Sequence, residues 1–275
     1  MGGCTILFSG DFRQNNDEIN VSLKRSNLWL HVNKLELKTN MRVSLSSPEN
    51  RLFPEMLLKV GNGELTQSEG SINLENLCVL TDNIQELVNN PDIDNISCKT
   101  ISWFKERAIL SPTNEQVDKV NNLILSKIDA STQIYYSVDT VLDLEEAVHF
   151  PTEFLNSLNP SGLPPHKMVL KVSCPVILIR NLNPPKLCNG TRLLVKSLKT
   201  FIIECTGCGT GEDVLIPGIP LIPSDLPFQF KRLQFPVKTS FAMTINKSQG
   251  QTFNVVGLDL SVECFSHGQL YVALS

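Results

Sequence analysis

Arg107-Ala-Ile-Leu-Ser-Pro-Thr-Asn-Glu-Gln-Val-Asp-Lys-Val-Asn-Asn-Leu-Ile-Leu125 is the stretch whose reading decides the fold. Its first half is an apolar strand running into the polar turn Ser111-Pro-Thr-Asn114. In its second half apolar residues fall at 117, 120 and 124, the period of a helix with one buried face. Strand, polar turn and helix make the repeating unit of an α/β domain with a parallel sheet, and sites in such sheets lie at the C-terminal ends of the strands.

Working outward, Phe241-Ala-Met-Thr244 and Val255-Val-Gly-Leu-Asp-Leu260 supply two more buried strands. A helix is expected over 53–60, with Pro54 in its first turn and Gly61-Asn-Gly63 as its stop, and another over 83–88, closed by Pro91. Cys4-Thr-Ile-Leu-Phe8 reads as a strand buried on both faces, which needs neighbours that no preceding sequence supplies. It is therefore expected to be a remnant of a different sheet. Between Pro151 and Pro236 the texture changes to frequent prolines and short β-rich runs, such as Met168–Val172, Val176–Ile179, Thr191–Val195 and Phe201–Glu204. Asn189-Gly190 is a hairpin signal. A small β-barrel inserted into the α/β domain is expected there.

The formal net charge of −4 hides an asymmetry. Residues 160–250 carry eleven Lys/Arg against four acids, a local +7, while the remainder carries −11. A basic module beside an acidic one suits a chain that follows a phosphate backbone on one face, although scattered surface lysines would give the same count. Eight cysteines include a single CxxC, Cys205-Thr-Gly-Cys208. No second pair completes a zinc set, so no metal is expected, and the glycine-rich surroundings read as a hairpin turn. No apolar run approaches the ~20 residues of a membrane span. Free thiols point to a reducing compartment.

Five stretches in order then carry a family resemblance: Gly10-Asp-Phe-Arg-Gln14; Asn40-Met-Arg42; Leu110-Ser-Pro-Thr-Asn114; Leu163-Pro-Pro-His-Lys167 through Leu178-Ile-Arg-Asn181 and Asn189-Gly-Thr-Arg192; and Thr244-Ile-Asn-Lys-Ser-Gln-Gly-Gln-Thr252 with Gln269–Ser275. Together they resemble the Pif-type, superfamily-one ATP-dependent DNA helicases, in particular the subgroup found in Helitron transposons. The resemblance implies a RecA-like parallel-sheet domain with an inserted Src-homology-three-like barrel. The implied boundaries are 1–34 for a remnant of the first RecA-like domain, 35–150 and 236–275 for the second, and 151–235 for the insertion.

It also implies roles. Gln14 resembles the residue that senses the γ-phosphate and holds the attacking water. Arg42 resembles the second domain's γ-phosphate arginine, whose fork suits bidentate contact. Taken alone, Gln14 could be a turn residue and Arg42 a surface ion pair. Thr113 and Asn114 resemble a backbone-contacting motif, and residues of that kind at a helix start can cap the helix, bind a phosphate or do both. Thr244, Asn246, Lys247, Ser248, Gln249 and Thr252 resemble the motif joining the nucleic-acid track to the nucleotide cleft, with Gly250 allowing close backbone approach. Many members carry His where Asn246 stands. In the insertion, Lys167, Lys171, Arg180 and Arg192 are expected phosphate contacts; aromatics are sparse, so backbone tracking is expected over base stacking. The implied partners are single-stranded DNA or a forked duplex, with ATP and Mg²⁺ as cofactors. The implied setting is DNA repair, recombination and telomere maintenance in the nucleus, with the mitochondrion as the alternative.

The sequence departs from a working motor in several places. No Gly-Lys-Ser/Thr occurs, so the loop that cradles nucleotide phosphates is missing. The one Asp-Glu pair, Asp17-Glu18, does not end an apolar strand, and Asp143, Glu145, Glu146 and Asp259 stand in the wrong places for Mg²⁺. Asn15-Asn16 leads almost directly to Val21, which suggests a short deletion. Ala273-Leu-Ser275 stops one residue before the expected arginine finger. The expectation is the C-terminal motor portion of a 5′-to-3′ DNA helicase, inactive by itself and in need of the first RecA-like domain. The alternative is a non-catalytic single-strand-binding protein or transposon relic.

Overall fold

The computed structural model describes residues 27–31, 33, 52–62, 64, 78–81, 83–89, 103–104, 106–143, 149–208, 210–223, 226–264 and 268–275. The expected strand at 4–8, Gln14 and Arg42 lie outside the described residues. The chain divides into two units, residues 1–83 with 258–275, and residues 84–257. In the first, helix α1 (Leu52–Asn62) begins with Pro54 and Glu55 in its first turn and carries Lys59 in its last. That order suits the helix dipole. α1 packs with the last helix, α6 (Gln269–Leu274).

The second unit contains the deciding stretch. After α2 (Ile84–Asn89) come β1 (Arg107–Ser111) and α3 (Asn114–Lys127). α3 buries Val117, Val120, Ile124 and Leu125, the face set by its period. It also buries Asn121, whose side chain accepts from the Ala242 N–H at 2.8 Å and donates to the Ala242 and Thr239 carbonyls at 3.1 and 3.2 Å. Those bonds fix α3 to the strand β12 (Ala242–Thr244). β12 runs parallel to β1 with Ile109 opposite Ala242 and Ser111 opposite Thr244. With β13 (Val255–Leu258) the sheet order is β12-β1-β13.

Between α3 and β12 lies the β-rich part. Its elements are β2 (Thr132–Tyr136), β3 (Val138–Val141), α4 (Thr152–Ser157), β4 (Lys167–Lys171), β5 (Pro175–Leu178), β6 (Arg192–Leu198), β7 (Ile202–Gly207), β8 (Asp213–Pro217), β9 (Ile219–Leu221), β10 (Phe230–Gln234) and β11 (Val237–Thr239). Hydrogen bonding sorts them into a five-stranded sheet β11-β5-β6-β7-β8, a three-stranded sheet β3-β10-β9 and the pair β2-β4. The chain passes from one sheet to another at Ser137 and at Phe235-Pro236, the bends by which sheets pack at corners. Strand pairing thus draws 132–141 and 237–239 into the β-rich part, which reaches beyond the expected 151–235 on both sides. Cys205 and Cys208 lie at the end of β7, before the turn that returns the chain as β8, in agreement with the hairpin reading. Asn189-Gly190 is a different case. β5 and β6 do pair antiparallel, but residues 179–191 join them as a longer loop with its own bridge, Asn183 to Leu187.

One buried group holds the three-stranded sheet to its surroundings. The Arg232 and Asp139 side chains are fully buried and face each other across β10 and β3. Arg232 Nε lies 3.0 and 3.1 Å from the two Asp139 oxygens, and Nη2 lies 2.6 Å from Oδ2. The guanidinium also donates to the Pro164, Leu155 and Leu158 carbonyls at 3.1, 3.0 and 3.2 Å. Asp139 in turn accepts from Ser137 Oγ at 2.7 Å, and Ser137 Oγ lies 2.8 Å from His166 Nδ1.

Candidate nucleic-acid interface

Because β1 and β12 are parallel, their C-terminal ends leave from the same edge of the sheet, and the turns that follow carry Thr113 and Thr244. Thr113 is the N-cap of α3, with its hydroxyl accepting from the Gln116 N–H at 3.4 Å. Asn114 beside it is exposed. β12 runs into the single-turn helix α5 (Ile245–Ser248). Ile245 and Ser248 are buried, which anchors the turn and turns Asn246, Lys247 and Gln249 outward. Ser248 donates to the Ile245 carbonyl at 2.7 Å, so its hydroxyl serves the turn. Gln251 closes the loop, its N–H reaching Ser248 O at 2.9 Å and its amide Lys247 O at 3.1 Å. Gly250 between them has φ +79°, a left-handed backbone that suits glycine. Thr252 follows, exposed.

Facing this loop is the corner at Asn189–Thr191. Gly190 takes φ +93° and donates to Leu178 O at 2.8 Å. The Asn189 N–H is held by Asn181 Oδ1 at 2.7 Å, and Thr191 Oγ1 accepts from the Cys188 N–H at 3.1 Å. The two loops line an open cavity of 440 Å³ with Asn189, Gly190, Thr191, Lys247, Gln249 and Gly250 in its wall. Lys247 Nζ stands 3.5 Å from Asn189 Oδ1. Burial, then the neighbouring charges of Lys238 and Arg180, hold the Lys247 ammonium below the usual lysine range. No ion pair reaches Lys247 among the described residues. Lys247 thus feels two like charges beside amide and backbone donors, although Lys238 also acts on the Asp118 carboxyl, and an anion at Lys247 would lower the energy of the site.

The other expected contacts divide. Arg180 is half-buried at the edge of this group, and Lys167 is exposed at the start of β4. Two of the expected contacts make hydrogen bonds within the fold. Lys171, half-buried, donates to the Ile128 carbonyl at 2.8 Å. Arg192 is buried, donating to Arg107 O at 3.2 Å and Ser240 O at 3.1 Å, with its guanidinium over the Phe253 ring at 5.3 Å. It joins β6 to the parallel sheet through these two carbonyls. Asn189, which stands in one of the resembling stretches and carries a turn signal, lines the site without having been named as a contact. Lys238 acts on it through its charge and sits in a three-residue strand too short to show a pattern. Gln14 and Arg42, expected on the nucleotide side, lie outside the described residues.

Residues 153–198 match the family model described as DNA helicase Pif1, 2B domain, and residues 1–71 match the PIF1-like helicase model. The ATP-dependent DNA helicase Pif1 of Bdellovibrio bacteriovorus is 24% identical over an alignment covering 100% of this chain and 56% of that protein. The ATP-dependent DNA helicase PIF6 of Trypanosoma brucei brucei is 29% identical over 62% of this chain and 22% of its own length. The chain therefore spans about half the length of the first of these relatives and less of the second. Among solved structures, Pif1 helicase from Candida albicans aligns with TM-score 0.66 at 23% identity, over 96% of this chain and 60% of that one. Pif1 helicase from Bacteroides, solved in complex with ADP-AlF3 and ssDNA, aligns with TM-score 0.55 at 21% identity, over 87% and 48%. At these identities the structural likeness shows a shared RecA-like α/β fold. Both family models match in order along the sequence, and by these matches the chain is similar to the Pif1-like helicases.

Proposed function

We propose that this chain grips single-stranded DNA as the C-terminal motor portion of an ATP-dependent 5′-to-3′ helicase. The observation that carries the reading is the position of Lys247 in the cavity wall against the amide-rich corner at Asn189–Thr191, 3.5 Å from Asn189 Oδ1, with the charges of Lys238 and Arg180 felt there. A phosphate entering there would relieve the repulsion among the cations, restore the Lys247 proton affinity and accept from the Asn189 and Gln249 amides. Gly250 leaves room for the strand against the backbone. Thr113 uses an oxygen lone pair to cap α3, which leaves its own proton for a phosphate at the same sheet edge.

The donor set for ATP is incomplete. The 275 residues contain no Gly-Lys-Ser/Thr and no apolar strand ending in Asp-Glu. Gln14 and Arg42 are the residues proposed to meet the γ-phosphate once a phosphate loop is supplied from a first RecA-like domain. Hydrolysis by these residues alone is not expected, so strand binding is the activity to test. The same absence favours, as a second reading, a single-strand binder with no motor function.

The test is fluorescence anisotropy of a labelled oligo-dT at several salt concentrations, with the chain and its Lys247→Ala variant. Each phosphate contact on a single strand contributes about −0.7 to the slope of log K against log salt. The variant should bind several-fold more weakly, with a slope shallower by about that amount. Unchanged affinity and slope in a folded variant would remove Lys247 from the track and the proposal with it.

A further inference from the structure

A second surface in the β-rich part is built differently. From Ile134 to Thr140, along β2 and β3, exposure alternates, and the residues of even number face outward. Ile134, Tyr136 and Val138 are 38%, 60% and 59% exposed. Tyr135, Ser137 and Asp139 between them are buried, and Asp139 is held by Arg232. The cross-strand neighbours continue the face on both sides. Lys167 of β4 lies opposite Tyr136, and Leu233 of β10, 44% exposed, lies opposite Val138. The next outward residue of β10 is Lys231, opposite Thr140. The His166 ring stands 5.5 Å from that of Tyr136, tilted by 50°. No carboxylate occupies an outward position in these paired stretches of β2, β3, β4 and β10. The result is an apolar strip with one prominent aromatic ring and lysines along its margins.

We propose that this strip is a base-stacking platform for unpaired DNA, with Tyr136 as the stacking ring and Lys167 and Lys231 as flanking phosphate contacts. A protein partner could cover apolar residues as well. A face with lysines at its margins and no acid suits a polyanion with flat apolar faces, which an unpaired strand provides and a mixed-charge protein surface does not. The platform would add base stacking to the backbone tracking expected of this part. Other aromatics of this part are exposed as well, Phe201 and Phe154 among them, but Tyr136 is the one that stands on this lysine-flanked face. The buried Ser137–Asp139–Arg232 group gives the platform its rigidity, because it fixes β3 against β10 from beneath.

The inference rests on the single-strand reading above, and one experiment separates the two. Affinity is measured for oligo-dT and for an abasic strand of equal length and charge, using the full chain and its Tyr136→Ala, Tyr136→Phe and Lys247→Ala variants. The chain should prefer oligo-dT to the abasic strand. Tyr136→Ala should lose about tenfold on oligo-dT and little on the abasic strand, while Tyr136→Phe keeps the preference. Lys247→Ala should weaken both strands alike. Equal binding of the two strands by the chain, or equal losses on both in Tyr136→Ala, overturns the platform while leaving the phosphate site standing. A Lys247→Ala variant without effect overturns the phosphate site alone. If Tyr136→Ala leaves DNA affinity intact and shifts sedimentation of the chain, the strip is a protein contact and the proposal fails. Independently of any variant, photocrosslinking of a bromodeoxyuridine strand to the unaltered chain should yield a Tyr136 adduct; adducts mapping only elsewhere count against it.

Discussion

Arg232 and Lys247 are cations in the same unit with opposite surroundings. Arg232 is sealed from solvent and meets a carboxylate and three carbonyls with good geometry. Lys247 reaches solvent with one amide oxygen at 3.5 Å and two positive neighbours. The first charge is consumed by the fold. The second is left over by it, and a charge left over among like charges calls for an anion from outside. Arg192 shows why position in the sequence cannot make this distinction: it belongs to a motif of expected phosphate contacts, yet backbone carbonyls take its guanidinium.

The strongest way to break the comparison is at Arg232. Replacing it by Met strands Asp139 in the interior, and breaking a buried pair on one side costs about 3–5 kcal/mol. Urea denaturation should show a loss of that size. The double variant Arg232→Met, Asp139→Leu should recover much of it, since no lone charge remains buried. A single variant as stable as the parent would mean that the pair does not hold β3 and β10 together.

Asn121 comes next. Asn121→Leu keeps the branched shape but leaves the Ala242 N–H and two carbonyls without their partner. Each buried polar group so orphaned costs about 1–3 kcal/mol. Stability measured by denaturation should fall by roughly 2 kcal/mol or more, and anion affinity should drop with it because β12 feeds the Lys247 turn. If affinity falls with no change in stability, Asn121 acts on the site by some other route.

These residues also mark how far the sequence could be read. The unit at 107–125 was legible because a strand, a Ser-Pro-Thr-Asn turn and apolar residues at 117, 120 and 124 leave one economical arrangement. The two functions open to Thr113, cap and phosphate contact, are compatible, and the cap is present. Asn121 was not legible, since a polar residue one step from Val120 reads as the edge of the solvent face. Arg232 could have been found: it shares its side of β10 with Phe230 and Gln234 by the two-residue period, and all three are buried. Arg192 carried a similar sign, because Leu193-Leu-Val195 beside it form a run buried on both faces. Lys238 and Lys247 come together only through the parallel register of β1 and β12 and the course of β11, a long-range fact with no local trace.

A smaller effect is expected at Thr113. Loss of its cap in Thr113→Ala should cost about 1 kcal/mol of stability, and a modest further loss of strand affinity should follow if the hydroxyl proton serves a phosphate. Thr113→Ser should restore both. Denaturation and anisotropy on the same samples separate the two, and a Ser variant that rescues stability but not affinity would confine Thr113 to capping.

The smallest effect bears most directly on the comparison, because it reads the charge of Lys247 itself. Its ammonium is held below the usual lysine range in the folded chain, by burial first and then by Lys238 and Arg180. In the window between its folded and unfolded values the unfolded chain binds more protons, so stability should rise with pH there, slightly, because the side chain still reaches solvent. Anion affinity should move the other way, weakening with pH below the point where an ordinary lysine titrates. A phosphate seated beside Lys247 would raise its proton affinity again, so binding in that window should take up a proton. Calorimetry in buffers of different ionisation enthalpy measures that uptake directly. Lys247→Ala should abolish it, whereas uptake that survives the substitution would assign the leftover charge to Lys238 and sharpen the contrast with Arg232 at a different residue.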